Sequence, residues 1–224
     1  TPSRQLKQTN YWQSIAKTPL LISIDGEWGI GMRLDSVVNF PFQMTLGAVD
    51  NDSLIYQMGK QIAEQCRRMG IHLNFAPVVD VNVNPKNPVI NMRSFGENPA
   101  NVASKGLAYM RGLQDHGILA TAKHFPGHGD TETDSHHTLP VVGHSYHRLD
   151  SVELAPFKTL IDNGLKAVMI AHLYLPAIEK EKNTATTLSR AIVQGVLKDS
   201  MGFEGIVITD ALDMKGVTKY FPPG

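Results

Sequence analysis

One short segment concentrates many side chains that could do chemistry. A lysine, four histidines and two aspartates occur within it: Lys123, His124, His128, Asp130, Asp134, His136 and His137. Pro126, Gly127 and Gly129 interrupt the segment and disfavour both helix and strand. We therefore expect most of these groups to lie on a loop. The apolar run 117–122 directly before them predicts a buried strand, and barrel enzymes carry their catalytic groups where such strands end.

Five apolar runs recur along the chain and predict the strands of a parallel sheet. Each run is continuous rather than alternating: 20–24, 72–79, 118–122, 167–171 and 205–208. An alternating pattern would indicate a sheet with one face in water. Continuous runs indicate strands that are covered on both faces, as in a parallel sheet.

Helical periodicity fills the intervals between these runs. Four amphipathic segments are indicated, each followed by a glycine that would end it: 54–69, 102–113, 152–161 and 192–197. Asp52 or Ser53 is expected to cap the first of these helices and Ser189 the last. A further helix is expected over 4–16. Strands that alternate with helices predict βαβ units.

Polar residues stand at the end of every predicted strand. They are Asp25, Glu27, Asp80, Lys123, His124, His172 and Asp210. In a doubly wound sheet the functional groups would gather at one switch point. A polar group at every strand end is more typical of a barrel mouth. Asp80 could instead cap the following helix, and both interpretations stay open.

These patterns predict an α/β fold of the (β/α)8 TIM-barrel class with about five βα units. A complete barrel has eight such units, and the stretches 39–46 and 85–92 are rich in Pro and Asn and are interpreted as loops. We interpret residues 1–224 as one incomplete domain cut from a longer protein. A partial barrel leaves two strand edges and apolar surface open to water, so we expect self-association.

The composition argues against nucleic-acid and membrane partners. Lys plus Arg and Asp plus Glu number 21 each, so no net field favours a polyanion. No run of ~18 apolar residues is present, and the stretch 1–17 has no signal-peptide core. Cys66 is the only cysteine. No internal disulfide can therefore form, and the helical context of Cys66 indicates a buried apolar role.

The histidine-rich segment also fits a metal centre. His124, His128, Asp130, Asp134 and His136 offer enough nitrogen and oxygen ligands for zinc. A zinc-dependent barrel hydrolase that uses the His124/His128/His136 cluster is therefore an alternative. Against it, no His-x-His follows the first predicted strand.

Six ordered motifs resemble those of a known family. They are Ile-Asp-Gly-Glu at 24–27, Asn-Phe-Ala-Pro-Val-Val-Asp-Val at 74–81, Arg-Ser-Phe-Gly at 93–96, Lys-His-Phe-Pro-Gly-His-Gly at 123–129, Met-Ile-Ala-His at 169–172 and Ile-Thr-Asp-Ala-Leu-Asp-Met at 208–214. The chain resembles glycoside hydrolase family 3, specifically its bacterial β-N-acetylglucosaminidases (β-N-acetylhexosaminidases). The resemblance implies that residues 1–224 are part of an N-terminal catalytic (β/α)8 barrel, without its first two strands and its last.

The resemblance also implies a reaction. It implies a retaining glycosidase that removes terminal β-linked N-acetylglucosamine from peptidoglycan fragments, with no metal or cofactor. Asp210 would be the nucleophile that forms a covalent glycosyl-enzyme, and His136, oriented by Asp134, would be the proton donor. The implied substrate-binding residues, with His172 lining the same cavity, are Asp25, Arg93, Lys123, His124 and His172.

Several points stay open at this stage. Water and phosphate are not distinguished as the final acceptor, and neither are a cytoplasmic and a periplasmic location. A fragment that binds sugar weakly or not at all is the alternative for this chain. The sequence departs from the family pattern at Trp28, which puts an extra aromatic near the sugar site, and at Ala211, where many members carry an acid.

Overall fold

Five parallel strands form one sheet, in the order in which they occur along the chain. The computed structural model describes residues 1–133 and 138–221. The strands are β1 Ser23–Ile24, β2 Leu73–Asn74, β3 Leu119–Phe125, β4 Ala167–Ile170 and β5 Ile206–Thr209. Each strand pairs in parallel with the next, so the sheet is a half-barrel with β1 and β5 at its edges. The predicted α/β fold with about five βα units is confirmed.

Helices precede the sheet, connect its strands and follow it. They are α1 Pro2–Ile15, α2 Gln43–Gly47, α3 Asp52–Arg68, α4 Pro99–Gln114, α5 Tyr146–Ser151, α6 Ala155–Asp162, the π-helix Ala191–Ser200 and α7 Lys215–Thr218. Two short 3-10 helices, Ile30–Met32 and Asn91–Arg93, follow β1 and β2. Neither of the stretches 39–46 and 85–92 contains a strand, as predicted, but residues 43–46 belong to α2 and residues 91–92 to a 3-10 helix, so these parts are not loops.

β3 is longer than predicted. It continues to Phe125, so Lys123 and His124 belong to the strand and not to the loop that was expected for most of the groups in this segment. Pairing on both sides extends the strand. The Val79 N–H donates to the Lys123 carbonyl at 2.8 Å, and Phe125 pairs with Ile170 of β4.

β2 is shorter than the apolar run that predicted it. Only Leu73–Asn74 is regular strand. Pro77 has no N–H to donate to a neighbouring strand, so a continuous ladder cannot pass through it. Beyond the proline, a single bridge joins Val78 to Lys123.

Side-chain caps fix two of the predicted helices. The N-cap of α3 is Asn51, rather than Asp52 or Ser53, because the Asn51 Oδ1 accepts from the Ser53 N–H at 3.0 Å. At the start of the π-helix, the Ser189 hydroxyl accepts from the Ile192 N–H at 3.2 Å, as expected of a cap.

The helix predicted over 152–161 corresponds to α6, and a separate short helix, α5, precedes it. α5 ends at Ser151, and Val152 leaves helical geometry with φ −121° and ψ −68°. α6 then begins with Pro156 in its first turn. Proline lacks an N–H and clashes with the preceding turn, so it starts a helix readily and does not continue one.

α3 and α4 pack closely against each other. A Cβ at Gly112 would lie 2.4 Å from the Tyr56 carbonyl oxygen and 2.9 Å from the Gly59 Cα, so only glycine fits there. Cys66 on α3 is fully buried, and burial raises the pKa of its thiol to about 12, which confirms its apolar role. Among the described residues, no helix is long and apolar enough to cross a membrane.

We expect the free edge of β5 to promote self-association. All four residues of β4 are buried, whereas Ile206 on β5 is 39% exposed. Exposed strand edges pair with other chains, and a charged side chain on the edge opposes this pairing. Ile206→Lys should therefore shift the purified chain toward the monomer in light scattering. Leu54→Lys on α3, where Leu54 is 58% exposed, is the control. A wild-type chain that stays monomeric at every concentration would contradict this expectation.

Candidate active site

A cavity of about 610 Å³ opens where the strands of the sheet end. It brings together five of the residues predicted from the sequence: Asp25, Arg93, Lys123, His124 and Asp210. Arg33 and His128 add polar groups to the wall, and Phe75, Val89 and Met169 add apolar surface. Such a mixture of a few directed polar groups and apolar surface is typical of a small-molecule site.

A buried carboxylate, Glu27, organises the cations of this wall. Its oxygens accept two hydrogen bonds from Arg93, at 2.6 and 2.9 Å, and Glu27 Oε1 lies 2.8 Å from the Lys123 ammonium nitrogen. Burial alone would raise the pKa of Glu27. The charge of Lys123 and the hydrogen bonds of Arg93 outweigh burial and lower that pKa to about 2. Glu27 is therefore ionised throughout the physiological range.

Asp25 extends the charge network toward the cavity. Lys123 Nζ donates to Asp25 Oδ1 at 2.6 Å, and Arg33 is ion-paired with Asp25 Oδ2. The Lys123 side chain is only 2% exposed, whereas Asp25 is 30% exposed. The lysine thus exposes only a small part of its side chain at the cavity wall, while more of the aspartate faces the space that a ligand would fill.

A bulge in β3 accounts for the placement of Lys123 and His124. Successive side chains of a regular strand point to opposite faces, yet these two neighbours line the same cavity. The register between β3 and β4 shifts over 122–125, where β3 has one residue more than β4. Such bulges re-aim side chains and are frequent beside active sites.

His124 is oriented by partners on both ring nitrogens. Its Nδ1 lies 2.7 Å from Asp80 Oδ2, and its Nε2 lies 3.2 Å from the Arg93 guanidinium. Because arginine only donates, Nε2 must accept, and Nδ1 carries the proton that Asp80 accepts. The Nε2 edge of the ring therefore faces Arg93 at the cavity wall.

Asp80 is fully buried and accepts from two backbone N–H groups as well. They are the N–H of His128, at 2.6 Å from Asp80 Oδ1, and the N–H of His124, at 3.1 Å from Oδ2. Burial favours the neutral acid, but the interactions with His124 and the His128 N–H prevail, and the pKa of Asp80 is lowered. These bonds decide the question left open by the sequence. Asp80 anchors the segment after β3 and does not cap a helix.

His128 is a neutral buried histidine. Burial is the main reason that its pKa is lowered to about 4. Its Nδ1 lies 2.7 Å from the Thr131 hydroxyl, and its backbone carbonyl accepts from the Asn87 side chain at 2.7 Å. The ring thus supports the loop that leads from β3 to residues 134–137.

Asp210 lies immediately after β5, as predicted. Its N–H donates to the Ile170 carbonyl at 2.9 Å, which continues the pairing of β5 with β4. The Ala211 N–H donates to Asp210 Oδ1 at 2.8 Å. Within residues 1–133 and 138–221, the hydrogen bonds that the Asp210 carboxylate accepts are made by Oδ1 alone.

His172 does not lie where the sequence predicted it. It is fully buried and does not belong to the cavity wall, so the prediction that it lines the cavity is wrong. Its Nδ1 lies 3.0 Å from the Thr187 hydroxyl, and its Nε2 lies 2.8 Å from the Ala211 carbonyl. The residue thus contacts Ala211, which does line the cavity, and lies outside the wall itself.

Two predicted catalytic residues, Asp134 and His136, lie outside the described residues.

Trp28, the extra aromatic, packs edge-on against Phe42 with ring centroids 4.6 Å apart, and neither ring lines the cavity. Met32 separates the two places, since it lines both the cavity and the neighbouring recess that contains Trp28.

The predicted zinc cluster is not assembled in the part of the chain that is described. Both ring nitrogens of His124 already have protein partners, and the His124 and His128 ring centroids are 6.2 Å apart. His136 falls outside the described residues.

A different group, Asp130, His144 and Glu153, brings metal-type ligand atoms within 4.8 Å of one another in the described ranges. These side chains are engaged with the protein itself. Asp130 Oδ2 lies 2.5 Å from His144 Nε2, and Arg148 donates to both Glu153 oxygens at 2.6 and 2.7 Å. A guanidinium on the Glu153 carboxylate opposes a cation there.

Glu27 and Asp80 are two buried residues of the site that the sequence did not assign. Both stand at predicted strand ends, which was the available signal. The pattern could not show that Glu27 pairs with side chains from two other elements, Arg93 and Lys123. Nor could it show that Asp80 accepts backbone hydrogen bonds.

We expect His128 to make stability depend on pH. Its folded pKa of about 4 lies below the ordinary value of 6.5. Below pH 6.5 His128 is protonated in the unfolded chain, whereas in the folded chain it stays neutral until about pH 4. The free energy of unfolding should therefore fall as the pH drops through this window, by at most about 3 kcal/mol. Urea unfolding of wild type and His128→Gln between pH 7 and pH 4 measures this, and the variant should lose less. His147→Gln, at an exposed position, is the control. Equal pH dependence in wild type and His128→Gln would contradict the assignment.

Comparison with known proteins identifies the family. The glycosyl hydrolase family 3 N terminal domain matches residues 3–223. Beta-hexosaminidase A of Pseudoalteromonas piscicida is 38% identical over 226 residues, which cover 94% of this chain and 38% of that protein.

Two solved structures share the fold closely. A glycoside hydrolase family 3 beta-N-acetylglucosaminidase from Paenibacillus sp. str. FPU-7 is 45% identical with a TM-score of 0.93, over 99% of this chain and 43% of that chain. The beta-glucoside phosphorylase BglX is 28% identical with a TM-score of 0.95, over 99% of this chain and 42% of that chain. This chain thus spans less than half the length of each of the three relatives. Its sequence and its half-barrel together establish that it belongs to glycosyl hydrolase family 3, in which it matches the N-terminal domain.

Proposed function

We propose that residues 1–224 form part of the N-terminal catalytic barrel domain of a retaining β-N-acetylglucosaminidase. The observation that carries the proposal is the shared cavity. Asp25, Arg93, Lys123 and His124 present charged and directional groups to the same space that Asp210 faces. The naming of the Pseudoalteromonas and Paenibacillus relatives as a beta-hexosaminidase and a beta-N-acetylglucosaminidase supports this choice of reaction.

The binding groups suit a sugar. Hydroxyl groups donate and accept, so they need both carboxylate acceptors and cationic donors in fixed directions. Asp25 supplies an acceptor, and Lys123 and Arg93 supply donors whose positions are held by Glu27. Phe75 and Met169 give the apolar face of the ring a surface to lie on. A terminal β-linked N-acetylglucosamine, released from peptidoglycan fragments, is the substrate we propose.

The reaction we propose has two steps. Asp210 Oδ2 attacks the anomeric carbon, the glycosidic oxygen leaves with a proton from His136, and a glycosyl ester forms on Asp210. Water then gives a proton to His136 and its oxygen to the anomeric carbon, which frees Asp210. Two inversions give net retention. Asp134 is proposed to hold the His136 ring and stabilise its cationic form.

Water is the acceptor that the charge pattern supports. Each cation of the cavity wall already has a carboxylate partner: Arg33 pairs with Asp25, Arg93 with Glu27, and Lys123 with both. An incoming phosphate would have to compete with these carboxylates. Because BglX is named a phosphorylase, the product assay should include phosphate, and formation of a sugar phosphate would replace hydrolysis by phosphorolysis.

We expect Asp210→Ala to lower turnover by about three or more orders of magnitude, because covalent catalysis is lost. A chromogenic β-N-acetylglucosaminide measures turnover, and nuclear magnetic resonance of the first product measures its anomeric configuration. Asp213→Ala, at an exposed position three residues further on, is the control and should stay near the wild-type rate. A fast Asp210→Ala variant, or an inverted product, would contradict the proposal. A folded wild-type chain that binds the sugar without turnover would favour the alternative of an inactive sugar-binding fragment.

We also expect Asp134 and His136 to act as one unit. Asp134→Ala and His136→Ala should each slow the first step strongly, and the double variant should be little slower than the poorer single variant. A substrate with a very acidic leaving group needs little protonation, so its first step should suffer less. His137→Ala, the adjacent histidine, is the control. Rate losses that multiply in the double variant would argue against a shared role.

A further inference from the structure

His172 is a buried histidine that the proposed reaction does not use. It follows β4, is fully buried, and has hydrogen-bond partners on both ring nitrogens. A carbonyl oxygen only accepts, so the contact with Ala211 requires that Nε2 carries a proton. In the neutral ring, Nδ1 then accepts from the Thr187 hydroxyl. The partners therefore fix both the orientation and the tautomer of the ring.

The partner of Nε2 is the residue that follows the proposed nucleophile. Ala211 is held on both sides, because its carbonyl accepts from His172 at 2.8 Å and its N–H donates to Asp210 Oδ1 at 2.8 Å. The last backbone bond between β4 and β5 is the one from Asp210 to Ile170. The His172 contact ties the two segments together one residue further along the chain.

We propose that His172 is a positioning residue for Asp210. By holding the Ala211 carbonyl, it keeps the Ala211 N–H against Oδ1, which leaves Oδ2 as the oxygen that faces the sugar. This inference rests on the proposed role of Asp210 as nucleophile. A carboxylate held by neighbouring groups in the attacking geometry avoids the loss of rate that a displacement of about 1 Å would cause.

A positioning role differs measurably from a sugar contact and from a core role. His172 lies behind the cavity wall, so its loss should leave the affinity for the sugar unchanged and lower the rate of attack. The loss of rate should be similar for good and poor leaving groups. A misplaced Asp210 attacks the anomeric carbon poorly whichever group departs. A histidine that only fills the core would affect thermal stability without changing the rate of the folded enzyme.

Two amide variants separate these roles. The side-chain nitrogen of Gln reaches about as far as Nε2, whereas that of Asn reaches about as far as Nδ1. His172→Gln can keep the donor to Ala211, and His172→Asn can keep only a group near Thr187. Both place a neutral amide in the same buried space, so an effect of polarity alone would be shared by the two variants.

The experiment measures the first step in single-turnover kinetics and the Kd of N-acetylglucosamine, for both variants and for the exposed control His147→Asn. We expect His172→Asn to react about 10- to 100-fold more slowly than wild type, with Kd within about threefold. His172→Gln should recover at least about tenfold of that loss. Equal rates for the two variants, or a weakened Kd with an unchanged rate, would overturn the inference. If Asp210→Ala remained fast, the proposed function itself would fail. If Asp210→Ala were slow and the His172 variants were not, the positioning role alone would fail.

Discussion

The buried Glu27 carboxylate is the interaction on which the site depends. Removing a charge from water costs several kcal/mol unless partners replace the lost hydration. Lys123 and Arg93 provide that replacement, and they come from β3 and from the 3-10 helix Asn91–Arg93. Loss of either partner would leave a buried charge uncompensated, which typically costs about 3–5 kcal/mol. The same ion pairs therefore hold three segments together and fix two donors at the cavity.

Asp80 applies the same principle to the next segment of the chain. Its carboxylate accepts hydrogen bonds from the His124 ring and from the backbone N–H groups of His124 and His128. The two buried carboxylates thus leave few groups of the wall free to reorient. A site built in this way needs little rearrangement when a ligand arrives, and preorganised polar groups of this kind are the usual source of catalytic power.

The sequence predicted the architecture well, because a strand formed by a continuous apolar run must have both of its faces buried, as in a parallel sheet covered by helices. All five strands occur where those runs were, and four of the polar residues at their ends, Asp25, Lys123, His124 and Asp210, line one cavity, whereas Glu27, Asp80 and His172 are buried outside its wall. Predictions failed where tertiary pairing overrides local propensity. β3 extends through His124 because Val79 and β4 pair with it. The burial of Glu27 was not predictable, because it follows from ion pairs between residues far apart in the chain.

The most direct test of the account is covalent trapping of the nucleophile. The purified protein would be incubated with a slow fluorinated N-acetylglucosaminyl fluoride, digested, and examined by peptide mass spectrometry. The account predicts a stoichiometric sugar ester on Asp210, which disappears when excess N-acetylglucosamine occupies the cavity. An ester on Asp25, Asp213 or another carboxylate, or turnover of the fluoride without any adduct, would contradict it.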